Sequence, residues 1–274
     1  MIVDKINQYL AKEKRELDEA LLTSFTVAAR EVGKRLFFTE EKDSKGKIYM
    51  SASGKCPRQC SYSYLGTTPN GRIIDTRSRF NFFMGDVVEL GVLYLALCSG
   101  CKLSRIGPDQ KSVKIKVDDQ EITGRPDGIL NGDTVVEVKS FSTYGFREFE
   151  KGKISKEYMA QLQAYMIATG MEKGLFIGVC KDVGVLHEIP VELDTEIIWR
   201  NRLTYIQIKN SPELLPERPE WARPDKFGLL PFQCTYCAYY NTCWGDKIKR
   251  VVKNGAYKLR VVDPSVDRVS KPSA

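Results

Sequence analysis

The chain has 274 residues, of which 42% are hydrophobic, and a formal net charge of +7. This length and apolar content are sufficient for one large domain or two small ones. Eight cysteines in a chain without a recognisable signal peptide favour a reducing cytoplasm and metal ligation, and they argue against a secreted, disulfide-bonded protein. No run approaches the length expected of a membrane-spanning helix, so we expect no membrane partner.

Hydrophobic periodicity and turn residues predict alternating helices and strands. Helices are predicted at residues 1–35, 82–97, 155–169 and 194–210, and strands near 112–118, within 121–139 and at 174–180. A strand, a helix and a further strand imply a parallel crossover, so we expect a mixed α/β core.

The most informative stretch is residues 124–140, which predicts a β-hairpin with Asn131-Gly132 at its turn. A strand alternates its side chains between two faces, so Glu137 and Lys139 point to one side and the neighbouring valines to the other. The valines can then be buried while a carboxylate and an ammonium are held on a rigid strand. A solvated, charged hairpin face is the alternative interpretation.

The register of this hairpin decides which face Asp127 occupies. We predict a three-residue loop at 130–132 with Gly132 in the left-handed conformation, which pairs Asp127 with Val135. Asp127 then shares a face with Glu137 as a diagonal neighbour about 7–8 Å away, near enough for both to reach one metal ion. A two-residue Asn-Gly loop would instead place Asp127 on the opposite face.

Two predicted helices carry further polar groups. Glu89 lies in the middle of the mostly apolar helix 82–97, where a buried carboxylate needs a partner because an unpaired charge is costly. A metal shared with the hairpin acids would be such a partner, and an exposed helix face is the alternative. In the helix 155–169, Gln161 and Tyr165 are four residues apart and share one face.

Taken in order, these motifs resemble the RecB-like branch of the PD-(D/E)XK nuclease superfamily. The matching stretches are Gly85 to Glu89, Gly124 to Asp127, Glu137 to Lys139, and Gln161 to Tyr165. The resemblance implies a restriction-endonuclease-like α/β core, with a mixed central β-sheet flanked by helices, and a Mg²⁺- or Mn²⁺-dependent deoxyribonuclease. Many RecB-like members carry histidine where Glu89 stands, whereas the one histidine of this chain, His187, lies downstream of the motifs.

The resemblance also assigns a role to each motif. The expected metal ligands are three carboxylates and one carbonyl, those of Glu89, Asp127, Glu137 and Val138. Lys139 is expected to orient or deprotonate the attacking water and to stabilise the transition state. Gln161 and Tyr165 are expected to position the DNA strand or the site carboxylates.

A second constellation consists of cysteines. Cys56 and a C-x2-C-x5-C cluster at Cys234, Cys237 and Cys243 resemble the iron–sulfur exonucleases of this branch, among them the AddB-type nucleases and the CRISPR-associated exonuclease. By that resemblance the four thiolates bind a [4Fe–4S] cluster that joins the N-terminal and C-terminal regions. The alternative is structural Zn²⁺, because Cys98-x2-Cys101 and Cys234-x2-Cys237 also form a pattern typical of zinc sites.

Positive charge is concentrated near the C-terminus. Residues 247–260 contain six basic residues and no acid, which favours a polyanionic partner such as DNA. A tail that only improves solubility is the alternative. Residues 263–274 are predicted to be disordered.

We therefore expect a cytoplasmic exonuclease that acts on single-stranded DNA ends in DNA repair, recombination or CRISPR adaptation, with protein partners from such a system. The expected segments are an N-terminal helical region with the first cluster cysteine (1–81), the nuclease core (82–210), a proline-rich connector with the cysteine cluster (211–250) and a basic, partly disordered tail (251–274). The alternatives are a DNA-binding accessory module with a cleavage-incompetent core and a zinc-containing interaction protein.

Overall fold

The computed structural model describes residues 1–38, 45–71, 76–117, 120–210, 214–253 and 256–262, so the tail predicted to be disordered, 263–274, lies outside the described residues. The helices are α1 (Ile2–Leu10), α2 (Glu19–Phe37), α3 (Pro57–Tyr64), α4 (Thr76–Cys98), α5 (Thr143–Glu150), α6 (Lys156–Thr169), α7 (Thr195–Asn210), α8 (Phe232–Thr235) and α9 (Tyr240–Trp244). The strands are β1 (Leu103–Ser104), β2 (Val113–Val117), β3 (Gln120–Gly124), β4 (Gly128–Leu130), β5 (Thr134–Phe141), β6 (Lys173–Cys180), β7 (Val185–Glu192), β8 (Ile248–Lys253) and β9 (Ala256–Val261).

The central sheet has five strands in the order β1-β4-β5-β6-β7. Strands β5 and β6 are parallel, and the chain passes between them through α5 and α6. The other neighbours are antiparallel. The predicted mixed α/β core and its parallel crossover are therefore confirmed.

The N-terminal helical region is interrupted, unlike the single helix predicted for residues 1–35. Helix α1 ends at Leu10, and α2 begins after Asp18, whose carboxylate accepts a hydrogen bond from the Leu21 amide at 3.0 Å. An aspartate at this position satisfies a free amide of the first helical turn and so starts a new helix.

The chain divides into two compact units. Unit 1 comprises Met1–Lys42, Ile48–Gly54 and Thr76–Leu203, and unit 2 comprises Asp43–Lys47, Lys55–Asp75 and Thr204–Ala274. The central sheet belongs to unit 1, and the β8–β9 hairpin belongs to unit 2.

The core of unit 1 lies on both faces of the sheet. On one face, Val136, Val138, Leu175 and Ile177 belong to a buried cluster with side chains of α1, α2 and α4. The other face carries Gly178, where an added Cβ would collide with the ring of Phe149 in α5. Helix α5 thus packs directly on the sheet because this position has no side chain.

Helix α4 contradicts the expectation that no run is long enough to span a membrane. Ser78–Cys98 is a 21-residue helix of sufficient length and hydropathy to do so. The core helix of a soluble protein meets the same criterion, so a single such helix is weak evidence for a membrane. In unit 1, Leu93 and Ala96 of this helix are buried in the core.

Unit 2 has buried apolar side chains of its own and draws on two distant parts of the sequence. Leu230, Tyr240 and Leu259 form one of its buried clusters. The segment after α3 is tied to the C-terminal part by a hydrogen bond from the Gly71 amide to the Ala238 carbonyl at 2.6 Å. Within the segment predicted as a basic, partly disordered tail (251–274), the described residues up to Val261 belong to strands β8 and β9.

Candidate active site

The turn between β4 and β5 differs from the predicted one. The loop consists of residues 131–133 rather than 130–132, and both Asn131 (φ 54°) and Gly132 (φ 83°) adopt positive φ angles. Asparagine tolerates this conformation better than leucine does, so Leu130 remains in the strand. The predicted pairing was therefore wrong by two positions, although the loop does have three residues.

The observed register brings Asp127 to the same face as Glu137. Gly128 pairs with Val136, so the position before it lies opposite Glu137, rather than diagonal to it as predicted. Asp127 precedes β4, and its buried carboxylate accepts a hydrogen bond from the Val138 amide at 2.7 Å. The side chain thus extends the hairpin ladder beyond the last backbone pair.

Lys139 is the centre of a hydrogen-bonded network. Its ammonium group lies 2.6 Å from Glu137 Oε1 and 3.5 Å from Gln161 Oε1. The Gln161 amide nitrogen in turn donates to the Tyr165 hydroxyl at 3.0 Å, and Lys139 Nζ lies 4.8 Å from the centre of the Tyr158 ring. Helix α6 therefore contributes three side chains that fix the position of one lysine.

Gly124 allows the helix to approach the hairpin. An added Cβ at this position would lie 2.5 Å from Tyr165 Cε1 and 2.7 Å from Met50 Cβ, both closer than real Cβ contacts. Met50 is fully buried and Tyr165 is 3% exposed, so neither can move aside easily. The first residue of the Gly124–Asp127 motif is thus explained by packing.

The three predicted acidic ligands influence one another. Burial, followed by the charges of Glu137 and Asp86, raises the pKa of Glu89 to about 7. Burial, followed by Glu137 and Glu89, raises the pKa of Asp127 well above its ordinary value. Burial also raises the pKa of Glu137 although Lys139 opposes the shift. Like charges in a buried site are costly and favour protonation or a bound cation.

The donor set fits a hard divalent cation in its chemistry. The Oε2 atom of Glu137 is buried and has no hydrogen-bond partner within the described part of the chain. Carboxylate oxygens are the ligands that Mg²⁺ and Mn²⁺ prefer. The described Asp, Glu, His and Cys side chains nevertheless form no group of three already arranged around one ion.

A cleft of about 770 Å³ in unit 1 reaches Glu89. Its wall includes the positively charged side chains of Lys34, Arg35 and Arg125. Arg35 also lies 3.3 Å from Asp86, which lines the same cleft. The sequence analysis predicted no role for these three cations. Arg125 lies inside the Gly124–Asp127 motif, and this position was the available signal for it.

The structure brings all six side chains predicted to be catalytic into one neighbourhood. Hydrogen bonds connect the lysine with Glu137 and Gln161, and electrostatic effects connect Glu89, Asp127 and Tyr165 with Glu137. Burial, followed by the Glu137 charge, raises the pKa of Tyr165. Their individual roles, and that of the Val138 carbonyl, remain predictions.

The four predicted cluster cysteines all belong to unit 2. Burial, followed by the nearby Cys56, Cys237 and Cys243 thiols, raises the pKa of Cys234 to about 12. Thiol chemistry and proximity fit a thiolate-bound centre, but among the described residues the sulfurs are not arranged around a metal ion. All eight cysteines lie among the described residues and form no disulfide bonds there, and the alternative pair Cys98 and Cys101 belongs to unit 1.

The fold and site are those of a mixed α/β protein with acids and a lysine beside a short hairpin strand. Residues 98–172 match the model of the YqaJ-like viral recombinase domain, and this stretch contains the hairpin and α6 but not Glu89. No curated protein matches the chain.

The solved structures to which this chain is similar include the following three. The crystal structure of SSO0001 is 19% identical, with 78% of this chain and 92% of that chain covered and a TM-score of 0.46. LHK-Exo in complex with dAMP, an alkaline exonuclease from Laribacter hongkongensis, is 18% identical over 65% of this chain and 96% of its own, with a TM-score of 0.47. A phage related exonuclease from Haemophilus somnus is 13% identical, with coverages of 77% and 93% and a TM-score of 0.31. Similarities of this degree carry no argument about function.

Proposed function

We propose that this chain is a divalent-metal-dependent DNA nuclease that removes nucleotides from single-stranded ends. The observation that carries the proposal is the convergence of Glu89, Asp127 and Glu137 beside Lys139, where one Glu137 oxygen has no hydrogen-bond partner among the described residues. Carboxylates that repel one another can hold the cation that metal-assisted phosphodiester hydrolysis uses.

Glu89, Asp127, Glu137 and the carbonyl of Val138 would hold Mg²⁺ or Mn²⁺. Such an ion supplies Lewis-acid chemistry, activating water and offsetting the charge of the scissile phosphate. Asp127 is aligned for this task by the Val138 amide, to which it is hydrogen-bonded at 2.7 Å.

Lys139 would orient the attacking water and stabilise the negative charge that develops on the phosphate. Glu137 and Gln161 hold its ammonium group in place before the substrate arrives. Tyr165 acts one step further away, because its hydroxyl accepts the Gln161 hydrogen bond and so fixes the orientation of that amide.

The cleft supports a nucleic acid substrate. Lys34, Arg35 and Arg125 line the same cavity as Glu89, but Lys34 and Arg35 lie 2.6 and 3.3 Å from Glu31 and Asp86 of the same wall. We therefore assign the attraction of an entering strand's phosphates mainly to Arg125. The match of residues 98–172 to a viral recombinase domain supports recombination as the setting, whereas nothing in the comparisons supports the CRISPR setting.

We further propose that Cys56, Cys234, Cys237 and Cys243 bind a [4Fe–4S] cluster in unit 2, with structural Zn²⁺ as the alternative. The support is the number of thiols and their mutual proximity. A brown protein that contains iron would support the cluster, and a colourless protein that contains zinc would support the alternative.

The decisive experiment compares the intact protein with Lys139→Ala on end-labelled linear and on closed circular single-stranded DNA, each with Mg²⁺ or Mn²⁺. Loss of linear DNA alone, abolished by the substitution, is the expected result. Cutting of circles would establish an endonuclease at the same site. Freshly prepared protein that cleaves neither substrate would contradict the proposal and favour a DNA-binding accessory module.

A further inference from the structure

The β8–β9 hairpin of unit 2 has one strongly basic face. Lys249 pairs with Arg260 and Val251 pairs with Lys258, and directly opposite residues of an antiparallel pair share a face. Lys253 lies two residues beyond Val251 and therefore on the same side. We call this set of four cations the basic face.

The opposite face of the hairpin anchors it to unit 2. Leu259 is 2% exposed and packs in the buried cluster with Leu230 and Tyr240. Near the hairpin end, Val252 pairs with Tyr257 on this same opposite side, and both side chains are exposed. The basic face is consequently held on a packed scaffold.

An exposed aromatic ring adjoins the basic face. Phe227 is 55% exposed, and the Nζ atoms of Lys253 and Lys226 lie 4.9 and 5.2 Å from its ring centre. Its carbonyl accepts a hydrogen bond from Arg260 Nε at 3.1 Å, and its amide donates to Asp225 Oδ1 at 2.9 Å. The backbone of Phe227 is thus fixed while its ring stays accessible.

Asp225 is the acidic neighbour of this surface. Its pKa is lowered first by the hydrogen bond from the Leu229 amide and also by the charges of Lys253 and Arg260. Asp225 therefore offsets part of the charge of Lys253 and Arg260, and Lys258 lies on the same face as these two cations.

We propose that the basic face and Phe227 form a binding surface for single-stranded nucleic acid. Cations attract the phosphates, and an exposed ring stacks on an unpaired base, which is how non-specific single-strand binding works. A duplex would use the charges but not the ring, because its bases are already stacked on one another. The inference goes beyond the proposed function, since it concerns unit 2, which does not contain the candidate active site.

The test measures binding of a fluorescein-labelled oligothymidylate to the full-length chain by anisotropy, in EDTA so that cleavage cannot interfere, at several salt concentrations. The variants are Phe227→Ala and the double variant Lys253→Gln/Lys258→Gln. The matched controls are Tyr257→Ala, an exposed ring on the opposite face, and Lys12→Gln/Lys14→Gln, two exposed lysines of unit 1. Thermal unfolding of each variant verifies that it is folded.

Phe227→Ala is expected to weaken single-strand binding by roughly tenfold, within the range for one base–aromatic stack, while Tyr257→Ala changes it little. The double lysine variant is expected to reduce the slope of log K against log salt by about 1.4, since each phosphate contact with a single strand contributes roughly 0.7. Duplex DNA is expected to bind equally well to the parent and to Phe227→Ala.

Two results would overturn the inference. These are equal effects of Phe227→Ala and Tyr257→Ala on single-strand binding, and a salt slope that changes no more than in the unit 1 control. Because binding is measured in EDTA, a chain that never cleaves DNA can still support this surface. Conversely, an active nuclease with unaltered binding in all variants would refute the surface alone.

Discussion

The ammonium group of Lys139 is held by side-chain oxygens of Glu137 and Gln161 and lies over the Tyr158 ring. A lysine side chain has much rotamer freedom to lose, so holding it before the substrate binds removes an entropic cost from the reaction. The restraint distinguishes this lysine from the exposed lysines of unit 1.

Lys139→Ala is expected to lower cleavage at least about 100-fold, the scale of losing one preorganised charge at a developing oxyanion, while DNA binding stays nearly unchanged. Single-turnover cleavage and anisotropy, measured on the same preparation, separate the two effects. Lys151→Ala, which removes an exposed lysine of α5's C-terminal end, is the control and should leave both properties intact. Loss of binding together with cleavage would mean that Lys139 is structural.

Glu89 links the stability of the metal-free protein to pH. Because its pKa rises from 4.5 to about 7 on folding, its protonated form stabilises the fold below the lower value, and this contribution is lost as pH rises through the upper one. The pKa values of Asp127 and Glu137 are raised as well, so their effects have the same sign.

The melting temperature in EDTA is therefore expected to fall between pH 4.5 and about 7, and Glu89→Gln should flatten this dependence. Addition of Mg²⁺ should restore stability at the upper end, because a cation offsets the carboxylate charges. A melting temperature that rises over this window in EDTA would contradict the assignment.

At the scale of elements, the site depends on how closely α6 approaches the strand that ends at Gly124. The aromatic ring of Tyr165 and the side chain of Met50 occupy the space that a Cβ would need. A single methyl group can therefore disturb both the packing of the helix and the network around Gln161.

Gly124→Ala is expected to destabilise the protein by about 1–3 kcal/mol, as other overpacked cores are, and to reduce cleavage with it. Gly91→Ala in helix α4 is the matched control, because a Cβ added at this position has no neighbouring atom within 4 Å. Alanine is the better helix former, so the control should be neutral or up to about 1 kcal/mol more stable. Urea unfolding curves measure the free energy of unfolding of both variants. Equal values for Gly124→Ala and Gly91→Ala would refute the packing explanation.

At the scale of the whole molecule, unit 2 is assembled from residues near 43–75 and from residues 204–274, which are far apart in sequence. Leu230, Tyr240 and Leu259 form one buried cluster, and the proposed cysteine ligands come from both parts of the unit. A metal centre held by both parts would stabilise the unit by joining them.

Cys234→Ser is accordingly expected to lower the content of bound iron or zinc and to reduce the unfolding temperature by several degrees or more. Metal analysis and calorimetry measure the two effects. Cys98→Ser, at an exposed cysteine of unit 1 that belongs to the zinc pattern but not to the proposed cluster, should change neither and so separates the two ligand sets. A soluble Cys234→Ser protein with full metal content and full stability would refute the proposed centre.

Local rules predicted much of the fold and of the candidate site. The buried valine alternation of β5, the α6 helix with Gln161 and Tyr165 on one side, and the parallel crossover all follow from short-range patterns. Strands β7, β8 and β9 were not predicted, because β7 alternates weakly and the hairpin sequence is dominated by lysine and arginine.

What the sequence determined by itself is the identity, order and local facing of the chemical groups, since strand and helix periodicity depend on neighbours only a few residues apart. Tertiary structure alone decided the proximity of Glu89 to Asp127 and Glu137. Tertiary structure also formed the cleft whose wall includes both Arg35 and Arg125. These features depend on contacts between residues tens of positions apart, and the packing of whole elements selects them rather than any local preference.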